Sequence, residues 1–94
     1  MNALRLYLLM NPAALDNLAG QVTSLDKLVL LDRGAELLLD AERIKHLVHI
    51  TDAVYCARPD RLARGLPLAT GVTDIGDNDL VTLVAERPQI LSWT

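Results

Sequence analysis

The sequence predicts one compact α/β domain over residues 1–94, with a mostly parallel sheet of about five strands and helices on both faces. Short apolar segments alternate with segments of helical spacing along the whole chain. The run Leu28-Val29-Leu30-Leu31 has no polar residue, which is typical of a strand covered on both faces. The length of 94 residues is that of one small domain, and no repeat or linker divides it.

Five short apolar segments bounded by Gly, Pro, Asn or Asp are predicted to be strands: Ala3–Met10, Lys27–Asp32, Asp52–Ala57, Gly71–Ile75 and Gln89–Trp93. The segments between them show helical spacing or capping residues. These predicted helices are Pro12–Ser24, Ala35–Leu39, Ala41–His49, Pro59–Gly65 and Asp77–Pro88, with a break near Asp40. The last helix is predicted to bury a stripe of four apolar residues, Leu80, Val81, Leu83 and Val84.

The composition favours a folded chain with partners. Hydrophobic residues make up 51% of it, twenty of them leucine, and 22% of residues are charged, which excludes intrinsic disorder. A domain of this size removes only about 60–65% of its unfolded surface from water. We therefore expect apolar surface that meets partner subunits.

The longest purely apolar run, Leu6–Met10, is far shorter than the roughly 20 residues of a membrane span, and no signal peptide is recognisable.

Charge and cysteine content exclude several classes of function. The net charge of −3 argues against direct binding of nucleic acid, which needs a concentrated basic surface. A single cysteine rules out an internal disulfide and a cysteine zinc cluster, which suits a reducing cytoplasm. Neither a glycine-rich nucleotide-binding motif nor a catalytic-triad signature occurs. The sequence therefore predicts no cofactor.

Four stretches carry a family resemblance, and they occur in a fixed order: Leu30–Gly34, Val54–Leu66, Ile75–Leu83 and Pro88–Trp93. In order and spacing they resemble the DsrH/TusB family, the smallest subunit type of the DsrEFH and TusBCD sulfur-relay complexes. The resemblance covers nearly the whole chain. It implies a compact α/β subunit that assembles with DsrE/TusD-type and DsrF/TusC-type subunits in a hetero-oligomer.

The same resemblance implies a role in persulfide transfer toward 2-thiolation of the tRNA wobble uridine, or in sulfur oxidation for the Dsr branch. The link to tRNA is indirect, because the principal sulfur-carrying cysteine of these complexes belongs to the DsrE/TusD-type subunit. Many DsrH proteins also carry a cysteine in the first helix, but this chain has none between Asn11 and Leu25. That departure favours a structural, partner-binding role over catalysis.

Cys56 is the one candidate sulfur carrier. It falls near the carboxyl end of a predicted parallel strand, where ligand sites of open α/β sheets lie. The helix after Pro59, together with Arg58 and Arg61, would favour a thiolate and hence a persulfide. The competing interpretation, which we favour, is a small buried hydrophobe. A directly sulfur-carrying subunit and a homo-oligomeric domain without sulfur chemistry thus stay open as alternatives.

Two further groups are candidate partner contacts. Arg58, Arg61 and Arg64 recur every three residues, so a short helix would place them along one side, where they could hold an acidic partner surface or an RNA phosphate. Capping of the helix carboxyl end by Arg64 is the equally weighted alternative. Trp93 is a large terminal side chain that we expect to pack in a subunit interface or against the last strand.

No metal site is predicted. His46 and His49 share a helix face but supply only half of a tetrahedral zinc site. Asp74, Asp77 and Asp79 cluster at a strand-to-helix turn, where capping of the helix by Asp77, with Asp79 in its first turn, explains two of the three.

Overall fold

The computed structural model describes residues 5–86 and 89–93, and it contains one sheet of five strands in the order β4-β3-β2-β1-β5. All four pairs of neighbouring strands are parallel. The strands are β1 (Arg5–Leu9), β2 (Lys27–Leu30), β3 (Val54–Ala57), β4 (Val72–Ile75) and β5 (Gln89–Trp93). The predicted α/β class, strand number and parallel sheet are confirmed.

The central strand β2 explains the continuous apolar run in the sequence. Leu28, Val29 and Leu30 are all fully buried, although successive residues of a strand point to opposite faces. Both faces of β2 must therefore be covered, as the absence of alternation predicted.

The larger core lies on the first face of the sheet. This face is covered by a 3₁₀ helix (Pro12–Ala14), the short helix α1 (Leu15–Leu18), a second 3₁₀ helix (Asp32–Leu39) and α2 (Ala41–Ile50). The side chains that form its centre come from β1, β2 and β3 and are fully buried: Tyr7, Leu9, Leu28, Leu30, Val54 and Cys56.

The second face is covered by α4 (Asp77–Glu86), which buries Leu83 against Leu6, Val29 and Ile75. The predicted buried stripe on this helix is only half right. Leu80 packs partly against this core, but Val81 is 67% exposed and Val84 37% exposed. One helix buries one side, and a residue that follows a buried position is rotated by about 100° toward solvent.

The first predicted helix is too long at its carboxyl end. Asn11 caps the 3₁₀ turn, its side chain accepting from the N–H of Ala13 at 3.0 Å, but α1 ends at Leu18 rather than Ser24. The chain then turns to enter β2, where the buried Asp26 carboxylate accepts from the Thr23 N–H at 2.9 Å and hydroxyl at 3.1 Å. A buried carboxylate that needs these donors holds the loop out of helical conformation.

The remaining elements follow the predictions within a few residues. Asp40 separates the second 3₁₀ helix from α2 and accepts from the N–H of Arg43 at 3.2 Å. The short helix α3 spans Arg58–Ala63 and is followed by Gly65 at φ +62°, a left-handed conformation that glycine adopts without strain. The predicted strand start at Ala3 and helix end at Pro88 lie outside the described residues. Within the described part of the chain, no helix has the length and apolarity that crossing a membrane requires.

Candidate functional site

The candidate site lies at the carboxyl edge of β2, β3 and β4. Cys56 is the next-to-last residue of β3, and its register partners are Leu30 on β2 and Asp74 on β4. Because register partners on parallel strands point to the same face, the Cys56 and Asp74 side chains lie on one side of the sheet. Helix α3 begins directly after β3, so its arginines start within reach of both.

The Cys56 thiol is fully enclosed. Its exposure is zero, it belongs to the larger core, and Sγ has one weak polar contact, to the Ala57 carbonyl oxygen at 3.8 Å. Burial, and secondarily the Asp74 carboxylate, raises the pKa of the Cys56 thiol to about 11, while Arg61 acts in the opposite direction. At that pKa only about one thiol in ten thousand is ionised at pH 7.

Arg61 does favour the thiolate, as expected, but burial and the Asp74 carboxylate outweigh it, so the pKa of the Cys56 thiol is raised overall. Both guanidinium groups are paired with Asp74, whose carboxylate raises the thiol pKa and so opposes the effect of Arg61. Burial in an apolar environment then decides the protonation state, because it penalises the charged form.

Asp74 is the centre of the polar contacts. Its carboxylate accepts from Arg61 Nε at 3.0 Å and Arg61 Nη2 at 2.9 Å, a two-pronged pair, and from Arg58 Nε at 2.9 Å. The Asp74 and Arg61 side chains are only 13% and 17% exposed. The Arg61 hydrogen bonds, followed by that from Arg58, hold the pKa of Asp74 below its usual value. Asp74 is thus a fixed anion at neutral pH.

Arg61 also closes the end of α3. Its Nη1 donates to the carbonyl oxygen of Leu66 at 3.0 Å, and the Leu66 N–H donates back to the Arg61 carbonyl at 3.0 Å. One side chain therefore fixes both the β4 side of α3 and the turn through Gly65 that follows it.

Arg64 reaches across to the segment after β2. Its Nη2 lies 3.0 Å from Asp32 Oδ1 and its Nε lies 3.8 Å from Glu36. In return, the Asp32 N–H donates to the Asp60 carboxylate at 2.7 Å, with Asp32 itself in the left-handed region at φ 52°. The three predicted partner-binding arginines are thus all engaged within the chain, although Arg58 remains half-exposed. Their contact with a partner stays a prediction.

The sequence did not identify the Asp74–Arg61 pair. It grouped Asp74 with Asp77 and Asp79, whereas Asp74 faces the arginines and Asp79 accepts from the N–H of Gly76 at 3.2 Å. The register of β3 and β4 places Asp74 beside Cys56. This register would have identified the pair, but it cannot be known from the sequence before the strand order is known.

The other predicted positions lie away from this edge. His46 and His49 are exposed on α2 and border a shallow depression with Glu42 and Lys45. In residues 5–86 and 89–93 there is no group of three His, Cys, Asp or Glu side chains that could hold a metal ion. Trp93 is partly buried against the larger core, and its carbonyl oxygen accepts from the N–H of Met10 at 2.9 Å.

The comparisons with known proteins agree with this fold. No protein-family model matches the chain. Protein TusB of Pectobacterium atrosepticum and Protein TusB of Pectobacterium carotovorum are each 37% identical to it over 84 residues, which cover 86% of this chain and 88% of the relative. The crystal structure of the ychN protein from E. coli matches with a TM-score of 0.70 and 14% identity, over 99% of this chain and 100% of that one. At that identity the structural match shows the fold alone.

Proposed function

Because the chain belongs to the TusB family, we propose that it is a structural, partner-binding subunit of a cytoplasmic sulfur-relay complex. Its partners in this proposal are one DsrE/TusD-type and one DsrF/TusC-type subunit. The complex would pass persulfide sulfur toward 2-thiolation of the tRNA wobble uridine. The resemblance to the DsrH/TusB family is confirmed by the two relatives, while the partners and the transfer step are inferred from that resemblance.

The main support for a structural role is the burial and the protonation state of Cys56, the single cysteine of the sequence. A sulfur carrier must expose its thiol and use the thiolate as nucleophile. Cys56 is fully buried and its pKa is raised to about 11. Both features are those of an inert core cysteine, and they favour a subunit that supports transfer over one that performs it.

The distribution of apolar residues supports partner binding. Among residues 5–86 and 89–93, seven large apolar side chains are exposed, and they are spread over loops, the second 3₁₀ helix, α3, α4 and β5: Leu25, Leu39, Leu62, Leu68, Val81, Val84 and Ile90. Exposed apolar area beyond what a small monomer usually shows is typical of surfaces that associate.

Direct contact with tRNA has little support in the charges. The net charge is −3, and the arginines of α3 and of the turn after it are paired with Asp32, Glu36 and Asp74. A phosphate backbone would have to displace these carboxylates, since nucleic-acid binding needs uncompensated positive charge. The connection to tRNA in this proposal therefore runs through the partner subunits.

The proposal is tested by co-expression with DsrE-type and DsrF-type chains from the same genome, followed by native mass spectrometry. We expect a hetero-oligomer of defined mass that contains all three chains, and self-association or aggregation when this chain is expressed alone. A stable monomer that binds neither partner would contradict the proposal. A defined homo-oligomer that ignores both partners would contradict it in favour of a domain without a sulfur-relay role.

A further inference from the structure

We propose that residues 58–65, which comprise α3 and the turn after it, form a polar latch that opens without unfolding of the sheet. Its opening would uncover the carboxyl end of β3 and with it the thiol of Cys56. The latch would control access to the interior of the domain whether or not the chain works in a sulfur relay.

The latch lacks the apolar attachment that normally holds a helix. No side chain of α3 is buried, and its one large apolar residue, Leu62, is 60% exposed. None of residues 58–65 is buried, whereas Ala57 and Leu66 at either side are. A six-residue helix has almost no stability of its own, because nucleation costs more than so few hydrogen bonds return. The segment is thus fixed at two buried ends and free of core contacts between them.

Polar contacts supply what the core does not. On the β4 side, Arg58 and Arg61 hold Asp74. On the β2 side, Arg64 pairs with the exposed Asp32, and Asp60 accepts from the Asp32 N–H. The exposed pairs are weak and screened by salt. The shielded, two-pronged Arg61–Asp74 pair is therefore the principal fastening.

The latch is next to the buried thiol. Ala57 alone separates Cys56 from the start of α3, and the charges of Asp60, Arg61 and Asp74 all act on the Cys56 thiol. Gly65, at φ +62°, provides a conformationally permissive residue at the other end of the segment. Lifting residues 58–65 would break the ion pairs and the Arg61–Leu66 hydrogen bonds but leave the β2–β3 and β3–β4 pairing intact.

The rate at which N-ethylmaleimide labels Cys56 in the full-length chain, read by mass spectrometry of the Cys56 peptide, tests this inference. The decisive variant is Arg61→Gln. If electrostatics alone governed the thiol, loss of this cation would raise the thiol pKa further and slow labelling. Loss of the latch instead increases exposure, so we expect labelling at least about fivefold faster than in wild type. Arg43→Gln is the matched control, since the ion pairs of Arg43 are with Asp16 and Asp40 and not with the latch, and it should change the rate less than about twofold.

The wild-type chain gives an independent result that does not depend on the variant folding. Raising NaCl should speed labelling by less than about twofold, because salt screens the exposed pairs of Arg58 and Arg64 but screens the shielded Arg61–Asp74 pair much less. Urea below the unfolding transition should have little effect, since a local opening exposes little surface. Slower or unchanged labelling in Arg61→Gln would overturn the proposal. So would a urea dependence equal to that of global unfolding, because the thiol would then be reached only through the unfolded state.

Discussion

Gly34 lies where the segment after β2 crosses the end of β1, and its substitution tests how tightly this edge of the sheet is built. A Cβ at position 34 would stand 1.9 Å from the carbonyl oxygen of Leu9 and 2.7 Å from its carbonyl carbon. The same Leu9 oxygen accepts from the N–H of Leu31 at 3.1 Å, and the Gly34 N–H donates to the Leu31 carbonyl at 2.9 Å. We therefore predict that Gly34→Ala strongly destabilises the domain.

The magnitude follows from the contacts. Relieving the clash requires a backbone shift of at least about 1 Å, and overpacking of this kind costs about 1–3 kcal/mol. The shift also breaks the Leu31–Leu9 hydrogen bond, worth about 0.5–1.5 kcal/mol. Replacing glycine by alanine returns about 0.4–1 kcal/mol through the unfolded chain. The expected net loss is about 0.5–4 kcal/mol, with a centre near about 2 kcal/mol, which is a substantial part of the roughly 5–15 kcal/mol that holds a typical domain together.

Urea denaturation followed by circular dichroism measures this loss. Gly20→Ala is the matched control, because Gly20 is exposed and nothing lies within 4 Å of a Cβ added there. It should leave the free energy of unfolding unchanged or raise it by up to about 1 kcal/mol. If Gly34→Ala were as stable as Gly20→Ala, the close approach of the two segments would be refuted.

Two further predictions concern Trp93 and Asp74. Trp93→Ala should weaken assembly with the partner subunits more than Leu91→Ala does. Leu91 is the matched control, because it is another partly buried side chain of β5 that packs on the same core. Equal affinities of the two variants for the partner subunits, measured by titration of the partners with this chain, would limit Trp93 to a role in the fold. Because the pKa of Asp74 is lowered in the folded state, its contribution is complete above the unfolded value of about 3.9 and is lost as the pH falls further. As the pH is lowered below about 4, the free energy of unfolding should therefore fall less steeply in Asp74→Asn than in wild type. Parallel curves of unfolding free energy against pH would contradict the pairing with Arg61.

The fold could be predicted because the pattern of apolar residues in the sequence indicates where the strands lie. A parallel strand covered on both faces needs apolar side chains at every position, and Leu28, Val29 and Leu30 meet that need. The ends of helices follow from local chemistry as well, as Asp40 and Gly65 show. These features depend on neighbours in the chain and are therefore visible in it.

The contacts at the candidate site depend instead on strand order. Arg61 and Asp74 are 13 residues apart and Arg64 and Asp32 are 32 apart, and they meet only because β2, β3 and β4 are neighbours in the sheet. The exposure of Val81 also depends on tertiary structure, because the packing of α4 on the second face of the sheet decides which side of this helix is covered. Sequence reasoning thus found Cys56 and gave Arg61 the correct effect on its thiol, but it did not identify the Asp74 carboxylate that, together with burial, outweighs that effect.

The central claim, that this chain supports sulfur transfer without carrying sulfur, is tested most directly by Cys56→Ser in the assembled complex. A hydroxyl in place of the buried thiol should cost about 1–3 kcal/mol of stability. Persulfide transfer by the complex, measured with labelled sulfur, should stay within about twofold of wild type, because a serine loses only packing if the thiol is not the nucleophile. Loss of transfer in a fully assembled and equally stable complex, together with labelled persulfide on Cys56 of the wild type, would contradict the claim.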